Sequence, residues 1–195
     1  MAVRFRAPSV ATNTLALLLA TTAMVAVSSA SVTLAGTSNI HDYSATTSTV
    51  RLTGARVVQP VADADGLLAP GAVEGFEVAV PAATLVSDKD GLNKNMHKAL
   101  LADKHPNIVF RLARIEAGAG GALKAVGTLQ IAGKAKEMAF DLTTERQASS
   151  LKISGRTNLL MTDFGIAPPK AMLGMLKTDP KVTVTFEAVL SLPRT

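Results

Sequence analysis

The chain has no cysteine, no tryptophan and a single tyrosine among its 195 residues. Without cysteine there is no disulfide, no thiolate metal site and no cysteine-linked lipid anchor. Aromatic residues make up only 4% of the chain. No run of Lys or Arg is interleaved with aromatics, so the stacking and phosphate-binding surface of a nucleic-acid partner is missing. The histidines are His41, His97 and His105. His97 and His105 are too far apart for a His-x-x-x-His pair on one helical face, and His41 and Asp42 are strand neighbours that face opposite sides. A Gly-x-Ser-x-Gly elbow, a P-loop and a dinucleotide fingerprint are absent. Asp163-Phe164-Gly165 stands without the glycine-rich loop, strand lysine or catalytic loop that would give it kinase meaning. Neither enzymatic chemistry nor a metal or other cofactor is therefore expected. Beyond the N-terminus, no apolar run reaches the ~20 residues of a membrane helix.

Residues 1–30 read as a signal peptide. Arg4 and Arg6 form its basic part, and Leu15 to Val27 is an apolar segment of about 13 residues, short for a span. Ser28-Ser29-Ala30 supplies small residues for cleavage near Ala30, which puts the mature start near Ser31. The competing reading is an uncleaved N-terminal anchor. If the signal reading holds, residues 1–30 form a detached helix, and the first paired strand begins at about Val32. The formal net charge is +5, and it falls to +3 without Arg4 and Arg6, because this segment holds no acid. The protein is expected in the periplasm or outside the cell.

The remainder, 31–195, is expected to be one domain. Leu92, Met96, Ala99 and Leu100 recur at helical spacing, and His105-Pro106 ends that helix. The period then switches to two, with Ile108, Phe110 and Leu112 on one side and Val109, Arg111 and Ala113 on the other. The same alternation runs through 74–80, 123–131, 137–142, 151–159 and 182–190, while 31–58 reads as two strands and 59–72 as a loop. Ala132-Gly133-Lys134 makes a tight hairpin. Pro168-Pro169 opens an apolar, methionine-rich connection. The sum is an all-β chain, an antiparallel barrel of about eight strands with one helix inserted after the third. A barrel of that size is either filled by its own side chains or holds one small ligand.

Four stretches carry a resemblance: Gly36-Thr37-Ser38-Asn39-Ile40-His41-Asp42-Tyr43; Leu92 to Phe110; Gly127 to Lys134; and Thr162-Asp163-Phe164-Gly165-Ile166 with the closing strand. In this order the chain resembles the YceI-like family of exported bacterial proteins. That resemblance implies a lipocalin-like antiparallel barrel that binds polyisoprenoid lipids. The family often has tryptophan where Tyr43 stands, and threonine or a second histidine in the hairpin at Ala132-Gly133-Lys134. Strand parity and the methionine-rich connection then name an apolar lining for a polyisoprenoid or isoprenoid-quinone-type lipid. It comprises Phe110, Leu112, Phe140, Phe164, Met172, Met175 and Leu176, with Met96 and Leu100 of the helix over the mouth. Two other classes stay open: a ligand-free envelope or stress-response module with a packed core, and an enzyme. Oligomeric state and lipid identity are not legible.

Overall fold

The computed structural model describes residues 26–57, 66–69, 72–118, 122–147, 150–171 and 175–191. Among these residues ten strands and one α-helix follow in the order β1 (Ala26–Ser38), β2 (Asp42–Thr47), β3 (Arg51–Val57), β4 (Val73–Pro81), α1 (Asp90–Ala99), β5 (Asn107–Ala117), β6 (Leu123–Ile131), β7 (Lys134–Gln147), β8 (Ser150–Leu160), β9 (Lys170–Ala171) and β10 (Leu176–Ser191). Nine of them hydrogen-bond in the order β2-β1-β10-β8-β7-β6-β5-β4-β3, and the two-residue β9 adds to β10. All described pairings are antiparallel. The sheet curls into a lipocalin-like barrel. Its edge strands β2 and β3 are consecutive in the chain, and a bridge between Thr46 and Val86 ties β2 to the segment that follows β4.

Strand parity decides which side chains enter the barrel. In β7, Met138, Phe140 and Leu142 are buried or half-buried, whereas Glu137, Ala139 and Asp141 are exposed. One side of the sheet is dry and the other wet. On the wet side Arg111 pairs with Glu77 at 2.5 Å, Lys124 with Asp141 at 3.6 Å and Lys152 with Glu187 at 3.4 Å. Such exposed pairs contribute little stability. Stability comes from the apolar interior, where Leu85, Met96, Leu129, Phe140, Leu159 and Phe164 belong to one buried cluster.

Four expectations are corrected. The 31–58 stretch holds parts of three strands, not two, because a hairpin interrupts it: Ser38 Oγ accepts from the Ile40 and His41 amides and donates to the His41 carbonyl. This extra strand and β9 raise the count above eight and put the helix after the fourth strand. The helix ends at Ala99, well before Pro106. Leu101 adopts a left-handed φ of 53°, and its amide and that of Ala102 return to Lys98 and His97. That break keeps Leu100 buried and turns Leu101 outward. Finally, β1 starts at Ala26 rather than near Val32, and Ala26, Val27, Ser29 and Ala30 pair with Ser191, Leu190, Val189 and Ala188 of β10. Val27 and Ala30 continue the inward side of β1, and the pairing satisfies backbone groups that β10 would otherwise leave open. Residues 1–25, with Arg4, Arg6 and most of the apolar segment, lie outside the described residues.

Candidate functional site

The barrel encloses an apolar cavity of about 570 Å³. That falls inside the roughly 300–1,000 Å³ typical of small-molecule sites. Its walls come from the inward residues of nearly every long strand, including Val32, Leu34, Leu52, Val78, Ile108 and Phe186. Its floor is a second buried cluster in which Leu68, Leu151 and Leu190 meet Val27, Ile115 and Ile153. Across the middle run three rings. Phe140 meets Phe110 edge to face at 5.0 Å and Phe186 at 6.0 Å. Room for the outer two is made by glycines: a Cβ at Gly127 would stand 2.8 Å from Phe110, and one at Gly155 would stand 2.5 Å from Phe186.

The helix covers the other end. Gly91, Leu92, Asn95, Met96 and Ala99, one face of α1, border the cavity together with Leu100 just beyond its end. Two devices hold α1 there. His97 Nε2 lies 2.7 Å from the Leu85 carbonyl, so that nitrogen carries the proton and donates it. Asn93 Oδ1 accepts from the Ser87 amide at 2.7 Å and from its hydroxyl at 2.9 Å, and Asn93 Nδ2 donates to the Ser87 carbonyl at 3.0 Å. The remaining histidines are also structural neighbours of turns. His41 sits in the β1–β2 hairpin, and the His105 ring lies where a Cβ on Gly133 would be, 2.6 Å away.

Met96, Leu100, Phe110, Leu112, Phe140, Phe164 and Leu176 border the cavity together. Phe164 comes from a short turn, Met161–Phe164, closed by Gly165 at φ 70°. Met175 does not border the cavity: it is 66% exposed, because Asn39 Nδ2 holds its carbonyl at 2.8 Å and the side chain turns outward just before β10. Met172 lies outside the described residues. Phe76, Val78, Val184 and Phe186 were visible as strand alternation but were not singled out for the lining.

Polar residues are few in the lining: Ser31 and Glu187, which are register partners, border it in one place, and most of the others lie at the helix end. Ser38, His41 and Tyr43 from the β1–β2 hairpin, Thr178 from β10, and Lys89 and Asn95 beside and on α1 all border the cavity there. The Tyr43 phenol is held above its usual pKa by burial and, second, by Asp179. No group of three metal-ligating side chains occurs among the described residues, and no described helix is long and apolar enough to cross a membrane.

Comparison with solved structures places this architecture. Burkholderia cenocepacia BcnA superposes with a TM-score of 0.64 at 15% identity, covering 82% of this chain and 95% of that one. A polyisoprenoid binding domain from Saccharophagus degradans, implicated in plant cell wall breakdown, gives 0.59 at 11% identity, with 87% and 98% covered. The Campylobacter jejuni YceI protein gives 0.53 at 16%, with 75% and 85% covered. No curated protein matches the sequence. The family of YceI-like domains matches residues 20–190, most of the chain. This protein therefore belongs to the YceI-like family.

Proposed function

We propose that the barrel is a periplasmic or secreted carrier or store for a polyisoprenoid or isoprenoid-quinone-type lipid, held with its chain along the cavity. The observation that carries this reading is the cavity itself, about 570 Å³ and lined almost wholly by apolar side chains. Burying each methylene of a prenyl chain is worth roughly 0.8 kcal/mol, so a dry elongated space suffices without many polar contacts. Met96 of α1 and Leu100 just after it, with Phe110, Leu112, Phe140, Phe164 and Leu176, supply the contact surface. Met175 is exposed just before β10, and the proposal for Met172 rests on the sequence alone. The name of the Saccharophagus degradans neighbour supports the ligand class. Arg4, Arg6 and the apolar segment after them support export; a mature chain starting near Ser31 gives up the Ala26–Ala30 pairing with β10 but keeps the rest of β1 paired with both β2 and β10. The cavity speaks against a barrel packed solid by its own side chains, and among the described residues no lining hydroxyl is hydrogen-bonded to a side-chain base. The reading is of binding, not turnover.

Filling the cavity tests it. Ala125 faces inward, directly opposite Phe140. Ala125→Phe should abolish uptake of a prenyl lipid from detergent while the barrel still melts cooperatively. Unchanged uptake by that folded variant would contradict binding inside the barrel.

A further inference from the structure

Tyr43, the second residue of β2, is on the inward register, directly opposite Gly36 of β1. Gly36 has no side chain, and the phenol occupies the space one would take: a Cβ there would stand 2.3 Å from Tyr43 Oη and 2.4 Å from Cζ. The next strand across presents Val182, opposite Gly36 and buried. The hydroxyl thus lies against Gly36, with the Asp179 carboxylate close enough to act on it. It is buried, and no protein group hydrogen-bonds it. Among the described residues it is the only buried side-chain polar atom in that condition. A buried donor without an acceptor is costly, and proteins rarely keep one without a use.

The ring also borders the cavity, at the end where most of its polar residues lie. Ser38 Oγ there is already engaged with the hairpin backbone. A ligand head reaches Oη only once rotation about the Tyr43 side-chain bonds carries it from Gly36 toward the cavity. Lys89, on the same mouth, adds positive charge. Burial and Asp179 both keep the phenol protonated, so it stays a donor through the physiological pH range.

We infer that the Tyr43 hydroxyl is the hydrogen-bond donor for the polar head of the bound lipid. The barrel then selects prenyl chains ending in an acceptor oxygen, either a quinone carbonyl or a phosphate, over plain hydrocarbon. This rests on the lipid-carrier reading above and deepens it.

Three probes of equal chain length test it against wild type and Tyr43→Phe, which keeps the ring over Gly36. They are a menaquinone with a geranylgeranyl tail, geranylgeranyl phosphate, and phytane. Wild type should bind at least one headed probe about 5- to 10-fold more tightly than phytane, the worth of one hydrogen bond. Tyr43→Phe should erase that advantage and leave phytane binding unchanged. Loss on the quinone alone identifies a carbonyl head, and loss on the phosphate alone identifies a phosphate head. Binding of a favoured headed probe, and not of phytane, should also shift the near-ultraviolet absorbance of this lone tyrosine. An unchanged headed-to-hydrocarbon ratio in the variant overturns the inference while leaving the carrier reading intact. So does an equal loss on all three probes, which marks a packing role only. Wild type that binds none of them overturns both.

Discussion

Gly155 of β8 lies directly beneath the ring of Phe186 on β10: the two are register partners, and a Cβ on Gly155 would stand 2.5 Å from both Cε1 and Cζ of the ring. The same Cβ would approach the Asp141 carbonyl to 2.9 Å. One neighbour is backbone and cannot yield, so the ring has to. Phe186 in turn packs edge to face on Phe140, and Phe140 on Phe110. The shape of the cavity's middle is thus set by a glycine. Gly155→Ala should destabilise the protein by about 1–3 kcal/mol, the usual cost of overpacking. Chemical denaturation measures it, and a variant as stable as wild type would show that the ring is not held against Gly155.

The β6–β7 hairpin offers the opposite change. Ala132 and Gly133 have φ of 48° and 81°, the pattern of a two-residue turn with both central residues left-handed. Glycine suits its place, but alanine is a poor choice for left-handed backbone, where asparagine is tolerated well. Ala132→Asn should raise stability by about 0.5–1 kcal/mol. Thermal melting checks this, and a lower midpoint would contradict the assigned turn.

The attachment of α1 depends on His97. Replacing it with alanine leaves the half-buried Leu85 carbonyl region without its donor and should cost about 1–2 kcal/mol. Hydrogen exchange across Asp90–Ala99 should quicken while the β7–β8 strands keep their protection. Uniformly unchanged exchange would mean that the apolar face alone seats the helix.

Tyr43 can be titrated by itself, since the chain has no other tyrosine and no tryptophan. Burial first, and Asp179 second, raise its pKa in the folded state. The native phenol therefore holds its proton more firmly than the unfolded one. The associated stability is fully present below the ordinary value of about 10 and is lost as pH rises past it. Phenolate absorbance should develop at higher pH in native than in denatured protein. Tyr43→Phe should lose less stability than wild type on the alkaline side. Coincident titration curves would place the hydroxyl in open water.

Much of this was legible because a strand's period of two is strict. Met138, Phe140 and Leu142 against Glu137, Ala139 and Asp141 fixed both the strand and its dry face. Phe110 and Leu112 could be assigned to the interior for the same reason. What escaped depended on contacts distant in sequence. The helix seemed to run on to Pro106, but burial of Leu100 and exposure of Leu101 require a left-handed break at Leu101, which leucine does not advertise. The β1–β2 hairpin has no Asn-Gly signal and is built instead from Ser38 bonding its own turn. Met175 and Leu176 are neighbours at the start of β10, so they point to opposite sides, and it is the register set by the Asn39 tie to the Met175 carbonyl that turns Leu176 in. The relation of Tyr43 to Gly36 is likewise invisible until β1 and β2 are set in register.

The central claim is that the cavity holds a prenyl lipid. Native mass spectrometry of the protein recovered from its own host tests it most directly, with solvent extraction of whatever is bound. The account predicts one adduct per chain, with the mass and fragmentation of a polyprenyl compound, and loss of that adduct in Ala125→Phe. Protein that carries no such adduct, and takes none up from added prenyl lipid, would contradict it.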